Sequence, residues 1–245
     1  MMVDISAKGD VGRYAVASAE ASTSDAVSCV VAASLATKQA YRYVPLLHPV
    51  PLSASAECSG GAVKARAWTV WKTGVEMDAL FGALVGAIAG GATYIKRLRV
   101  DTKVKGVEYS LEEPRGAIKA NRPDLGYVVK AHGYIHLTST RPIKAGSVEK
   151  GDPICAARTI APLNAKRLCE LLPVECVKLE YANSSIEIGD DSVAVEVVLK
   201  GRDVSPSLEA LFAAGSALLT IWDMLKKYEK DENGQYPNTY VELGL

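Results

Sequence analysis

Two hydrophobic patterns alternate along the chain. Apolar and polar residues alternate through "AVKARAWTV" (Ala62–Val70) and "SIEIGDDSVAVEVVL" (Ser185–Leu199). Both patterns predict half-buried strands, and "IGDDS" is the turn signal of a hairpin. "YVVKAHGYIHLTS" (Tyr127–Ser139) predicts another strand, and "NTYVELGL" supplies one at the C-terminal end. Between the strands lie stretches poor in charge and rich in alanine, which predict tightly packed helices. One of them, "ALFGALVGAIAGGATYI" (Ala79–Ile95), is apolar enough to imitate a membrane span. It is short for a span, rich in Gly and Ala, and preceded directly by charged residues, so a buried packing helix is the better reading.

The order of elements occurs twice. With an offset of 128 positions, "ASLATKQAYRYVPLL" (Ala33–Leu47) lies over "APLNAKRLCELLPVE" (Ala161–Glu175), matching Leu35 with Leu163, Lys38 with Lys166 and Pro45 with Pro173. After a three-residue insertion, "DALFGAL" (Asp78–Leu84) lies over "EALFAAG" (Glu209–Gly215). Such self-similarity is the signature of a repeated unit. In the first half, "RVDTKVKGVEYSLEEP" contributes a strand expected at "KGVEYSL". Each half then reads β-α-β-β-α-β. The expected class is α+β: two ferredoxin-like repeats with helices on one face of an antiparallel sheet. The linker is expected near "EEPRGAIKANRPD" (Glu112–Asp124), dividing the chain into residues 1–112 and 113–245.

Composition narrows the function. A 49 % hydrophobic content supports a sizeable core, and a formal net charge of zero argues against non-specific nucleic-acid binding. The five cysteines form no CxxC pair and are odd in number. That argues against a disulfide framework or a zinc site, and fits a reducing cytosol. "MMVDISAKGD" carries charges where a signal peptide needs an apolar core, so a cytoplasmic, non-membrane protein is expected.

Some polar residues could carry chemistry. Glu76 and Asp78 sit beside Lys72 in "WKTGVEMDAL". Such a group can act as acid and base, although a helix N-terminus with an acidic first turn has the same spelling. Asp223 and Lys226 share a helix face, as a surface ion pair would. His48 stands alone between Leu47 and Pro49, and His132 and His136 are assigned to a strand. Lys166 and Arg167 occur inside an otherwise apolar stretch. Buried there, they would need a partner or a bound anion.

"MVDISAK", "VPLLHPVPL", "KTGVEMDAL", "NAKRLCELLP" and "LTIWDMLKK" each resemble a signature segment of cyclic pyranopterin monophosphate synthase, the MoaC family. The chain resembles a tandem duplication of that unit. The resemblance maps the family's helix lysine-arginine pair onto Lys166 and Arg167, and its histidine onto His48, with Leu47 where the family has Cys. The family's Lys-Thr-Gly-Val-Glu-Met-Glu-Ala segment falls on Lys72–Ala79, including Glu76, Met77 and Asp78. Its Asp-Met-x-Lys falls on Asp223 and Lys226, and its early arginine on Arg13. The family's C-terminal tail lysine has no clear counterpart. The losses are complementary: the second half has Cys176 in place of the histidine and Ser207 opposite Glu76, while the first half has Gln39 in place of the arginine of the pair and Ala92 and Ile95 in place of the Asp-Lys pair.

The resemblance implies a pseudo-dimer with one composite pocket. Its implied reaction, in molybdenum cofactor (molybdopterin) biosynthesis, converts 3′,8-cyclo-7,8-dihydro-GTP to cyclic pyranopterin monophosphate and pyrophosphate, with no redox cofactor and no metal assigned. The implied catalytic set is Lys166, His48, Glu76, Asp78, Asp223 and Lys226, with Lys166 as leading acid or base. The implied substrate-binding set is Arg13, Leu47, Lys72, Met77, Arg158 and Arg167. The only expected partners are the cyclic GTP derivative and further copies of the chain, in a homotrimer. The rival reading is an inactive nucleotide- or pterin-binding regulator.

Overall fold

Burial alternates residue by residue along the strand Val128–His136, with Val129, Ala131, Gly133 and Ile135 inside. A sheet so patterned has one covered face and one open face. The computed structural model describes residues 2–245. In chain order the elements are β1 (Val11–Glu20), α1 (Ala26–Thr37), a 3-10 turn (Ala40–Arg42), β2 (Ser53–Ser59), β3 (Ala62–Trp71), α2 (Glu76–Ala89) and β4 (Tyr94–Lys105). They continue with β5 (Val128–His136), α3 (Arg141–Lys144), α4 (Pro153–Ala165), α5 (Leu168–Leu171), β6 (Leu179–Ile188), β7 (Ser192–Gly201), α6 (Ser207–Leu225) and β8 (Tyr240–Gly244). All eight strands form one sheet in the order β2-β3-β1-β4-β8-β5-β7-β6. Every pairing is antiparallel. The two halves of the chain meet where β4 pairs β8, with Ile95 opposite Leu243 and Leu98 opposite Val241. The protein is therefore α+β, with helices packed on an antiparallel sheet.

Helices α2 and α6 are buried along their whole length. Helix α6 is long and apolar enough to cross a membrane, but it is wholly enclosed by the protein. Phe81 of α2, Phe212 of α6 and Tyr43 form an aromatic cluster between the halves, with centroids 5.5–5.9 Å apart. Buried Asn164 ties the same region by donating to the Tyr43 carbonyl at 2.9 Å. Helices α1 and α2 approach closely because α2 presents glycines. A Cβ on Gly82 would lie 1.9 Å from Thr37 Oγ1 and 2.8 Å from the Ala33 carbonyl oxygen.

Several expectations need correction. The helix expected to Ile95 stops at Ala89, because Gly90 and Gly91 close it. Gly91 N–H donates to Ile88 and Ala92 N–H to Ala87, with Gly91 at φ 92°, which is a Schellman ending. The chain then enters β4 at once, so the strand is Tyr94–Lys105 and not "KGVEYSL". Gly106, at φ 80°, ends the pairing, and residues 107–127 carry no helix or strand. The lysine-arginine pair is not buried in a helix. Helix α4 ends at Ala165, leaving Lys166 exposed at its C-cap and Arg167 partly exposed at the start of α5. Cysteine count also misled: Cys169 and Cys176 form a disulfide. The break after α5 turns the chain back and brings their Cα atoms within 5.2 Å.

The α1–α2 contact gives the first test. Gly82→Ala should destabilise the protein by about 1–3 kcal/mol, since backbone as well as side chain must move. Thermal unfolding of the variant checks it, and an unchanged midpoint would show that the helices do not meet at Gly82.

Candidate functional site

The site forms where the N-terminus of α2 meets the C-terminus of α6. The first turn of α2 carries Glu76 and Asp78, only 3 % and 4 % exposed. The last turn of α6 carries Asp223, and Lys226 is its C-cap. Helix termini favour this arrangement in part: the positive end of α2 suits carboxylates and the negative end of α6 suits lysines. Asp223 lies at the unfavourable end and is compensated by two lysines. Lys226 Nζ is 2.9 Å from Oδ1, and Lys150 Nζ donates to Oδ2 at 2.6 Å and to the Asp223 carbonyl at 2.8 Å. Lys150 comes from the segment between α3 and α4. On Glu76, Oε1 accepts from Lys103 of β4 at 3.2 Å and from the Tyr236 hydroxyl at 3.1 Å. The other oxygen lies over Gly74, where a Cβ would be 2.2 Å from it. Any side chain at that position would displace the carboxylate from where it sits.

These groups border a cleft of about 570 Å³, the size of a small-molecule site. The first half of the chain lines it with Arg13, Leu47, His48, Lys72, Glu76 and Asp78, and the second with Asp223 and Lys226. Around them stand Lys8, Lys103, Lys105, Lys150, Lys227 and Lys230. Such a cation density suits a polyanion. The N-terminal segment crosses one side: His48 Nε2 lies 3.0 Å from the Val3 carbonyl, and Lys72 Nζ donates to the Ser6 carbonyl at 2.9 Å. Arg13 uses two of its donors on protein, bonding the carbonyls of Trp71 and Lys72 at 2.9 and 3.1 Å. It thereby braces the loop that leads into α2.

Four expected site residues stand apart from the cleft. Met77 is buried in the core. Arg158 is exposed on α4. Arg167 lies over the Tyr43 ring at 4.9 Å and bonds the Arg42 carbonyl. Lys166 is exposed and does not line the cleft. Conversely, sequence reasoning passed over Lys103, Lys150, Lys230 and Tyr236. Lys150 stands two residues before Asp152, the N-cap of α4, and nothing in that spelling points toward Asp223.

The charges sort the carboxyls. Burial opposes ionisation of Glu76, but Lys226 and Lys103 outweigh it and hold its carboxyl well below the usual range. Burial, reinforced by the charges of Glu76 and Asp223, pushes Asp78 up to about 7 against the pull of Lys226. Lys226 is itself held protonated: Asp223 and Glu76 more than offset its burial. Lys230 is brought down to about 8 by burial and by Lys103. The site thus holds two groups that exchange protons near neutrality, beside fixed charges of both signs.

The model of the MoaC family matches residues 24–107 and again residues 121–239. The chain belongs to the MoaC family. It is 45 % identical over 114 residues to a probable cyclic pyranopterin monophosphate synthase of Sulfurisphaera tokodaii, an alignment covering 45 % of this chain and 76 % of that protein. Proteins of the same name from Sulfolobus acidocaldarius and Saccharolobus solfataricus are 44 % and 39 % identical, with 80 % and 78 % of their lengths covered. Each alignment takes in 45–46 % of this chain, so one relative corresponds to about half of this MoaC-family protein.

The raised Asp78 carboxyl has a consequence for stability. An unfolded aspartate titrates near ~3.9, so the folded state binds the proton more tightly between about pH 4 and pH 7. Stability therefore falls as pH rises through that window. Asp78→Asn removes the penalty, so the variant should melt higher than the parent at pH 8, with the gap closing toward pH 4. Calorimetry at both pH values checks this, and a variant less stable at pH 8 would contradict it.

Proposed function

We propose that this chain is a cyclic pyranopterin monophosphate synthase, a lyase of molybdenum cofactor biosynthesis. It would convert 3′,8-cyclo-7,8-dihydro-GTP to cyclic pyranopterin monophosphate and pyrophosphate. In this reading residues 1–112 and 113–245 are two ferredoxin-like repeats fused into a pseudo-dimer. The strand order supports it: β2-β3-β1-β4 is followed by β8-β5-β7-β6, one order and its reverse. The observation that carries the proposal is the shared cleft. His48, Glu76 and Asp78 face Asp223 and Lys226 across the junction of the two halves.

Ring opening and pterin closure need protons moved at several atoms, and pyrophosphate release needs negative charge stabilised. Asp78 and Lys230, poised near neutrality, are the proposed proton carriers, with His48 beside them. Lys226, kept cationic by Asp223, stabilises charge developing on the substrate. Lys72, Lys105 and Lys150 face the triphosphate, and Arg13 shapes its loop. Lys105 stands as the candidate for the family's tail lysine, because it lines the cleft. Lys166, outside the cleft and exposed, receives no direct role. The corresponding end of α6 supports a single working site. There Ser207 donates to the Pro123 carbonyl at 2.6 Å, and Glu209 is paired with Arg122. The functional assembly in this reading is a cytoplasmic homotrimer of pseudo-dimeric chains.

Incubation with 3′,8-cyclo-7,8-dihydro-GTP tests the activity, and binding without pterin product would sink the enzyme reading. His48→Ala and Lys226→Ala should each lose at least about 100-fold in kcat, the usual scale for losing acid–base or charge stabilisation. Mixing the two variants should restore nothing, since both residues act within one chain. Lys166→Ala should stay within about threefold of the parent, as expected for an exposed residue outside the cleft.

A further inference from the structure

The loop between α6 and β8 brings a residue to Glu76 from behind the cleft. It is a compact turn: Asp231 Oδ1 accepts from the Asn233 and Gln235 amides at 3.0 and 2.7 Å, with Gly234 at φ 74°. Gln235 then docks on β4 through both ends of its amide. Its Nε2 donates to the Lys103 carbonyl at 2.9 Å, and its Oε1 accepts from the Lys103 amide at 3.1 Å. This fixes the next residue, Tyr236, which is 4 % exposed and does not line the cleft. Its ring packs edge-on against Trp222, and its hydroxyl reaches Glu76 Oε1 at 3.1 Å. Asp78, two residues away, is held by its own backbone N–H rather than by a hydroxyl. The first half has only residues 90–93 between α2 and β4, so nothing equivalent occurs at the other end of the molecule.

We infer that Tyr236 is a positioning residue that locks Glu76 as a fixed, ionised carboxylate and leaves Asp78 as the carboxyl that carries the proton in the reaction. The inference rests on the proposed synthase activity. Two adjacent buried carboxyls compete for one proton, and a hydroxyl donated to one of them adds to the cations that keep that one charged. The other groups facing this pair agree. Lys103 from β4 and Lys226 from α6 favour the charged Glu76, Lys230 of the loop adds to them, and Asp223 of α6 disfavours a charged Asp78. Burial and the nearby Glu76 charge push the Tyr236 hydroxyl up, so it remains a donor at all working pH. The proton that Asp78 takes from one substrate atom is returned in a later step, leaving the enzyme unchanged.

Tyr236→Phe keeps the ring and removes only the donor. It should lower kcat about tenfold with KM within about twofold, in line with losing one hydrogen bond to a charged group. Carboxyl-labelled NMR should show Glu76 ionised down to pH 4 in the parent, and titrating about one pH unit higher in the variant. Asp78→Asn should abolish the ionisation near pH 7 in the rate profile. A Tyr236→Phe protein with parental kcat and an unmoved Glu76 titration would overturn the inference, as would an Asp78→Asn enzyme that keeps the pH 7 ionisation. An inactive parent protein would instead overturn the functional reading, and the Glu76 titration would still decide whether Tyr236 holds it ionised.

Discussion

The structure depends on a buried charge network that neither half of the chain can complete. Glu76 and Asp78 come from the first half, and their principal cation, Lys226, comes from the second. Isolated charges at that depth would cost several kcal/mol each. Pairing across the junction offsets the cost, and it also decides where the halves must sit. The aromatic cluster of Tyr43, Phe81 and Phe212 and the β4–β8 pairing supply the apolar and backbone parts of the same junction.

Two fully buried helices deliver those charges. Because α2 and α6 are enclosed, their ends can be placed only by packing, and the glycines of α2 set how closely it lies on α1. The cleft opens where one helix begins and the other ends. Carboxylates and lysines then meet opposed dipole ends within a few ångströms. Rigid helices hold the charged groups, while loops complete them: Lys150 reaches in before α4, and Tyr236 follows α6. This division suits a site whose electrostatics must be set before substrate arrives.

Periodicity made much of the fold legible. The hairpin at "IGDDS", the strand through "YVVKAHGYIH" and the C-terminal strand all lie where alternation placed them. Errors arose where a local signal had two meanings. The alternation in "KGVEYSL" is as strand-like as that in Tyr94–Lys105, but Gly106 turns the chain out of the sheet after the strand has been used. The apolar neighbours of Lys166 suggested burial, yet α4 stops one residue earlier and points the side chain to solvent. Among site residues, those spelled in contiguous motifs could be named from sequence. Lys103, Lys150 and Tyr236 could not, because what distinguishes them is a contact made across 27, 73 and 160 positions.

The two ends of the molecule started from similar strings and now differ in a consistent way. At one end the first turn of α2 keeps two carboxyls facing an open, cation-lined cleft. At the other, Arg122 bonds Glu209 and also the carbonyls of Ser205 and Glu175, at 2.9 and 3.2 Å. Cys176, opposite the histidine in the repeat alignment, is bonded to Cys169. A buried glutamate without a partner would be an uncompensated charge, and the Arg122 guanidinium supplies that partner. The neighbouring positions are also held by protein contacts: Ser207 donates to the Pro123 carbonyl, and Cys176 is in the disulfide. His48 thus lines a cleft whose carboxyls are met by lysines across the junction, whereas at the opposite end the glutamate is met by Arg122 and a disulfide-bonded cysteine stands where the repeat alignment would put a histidine.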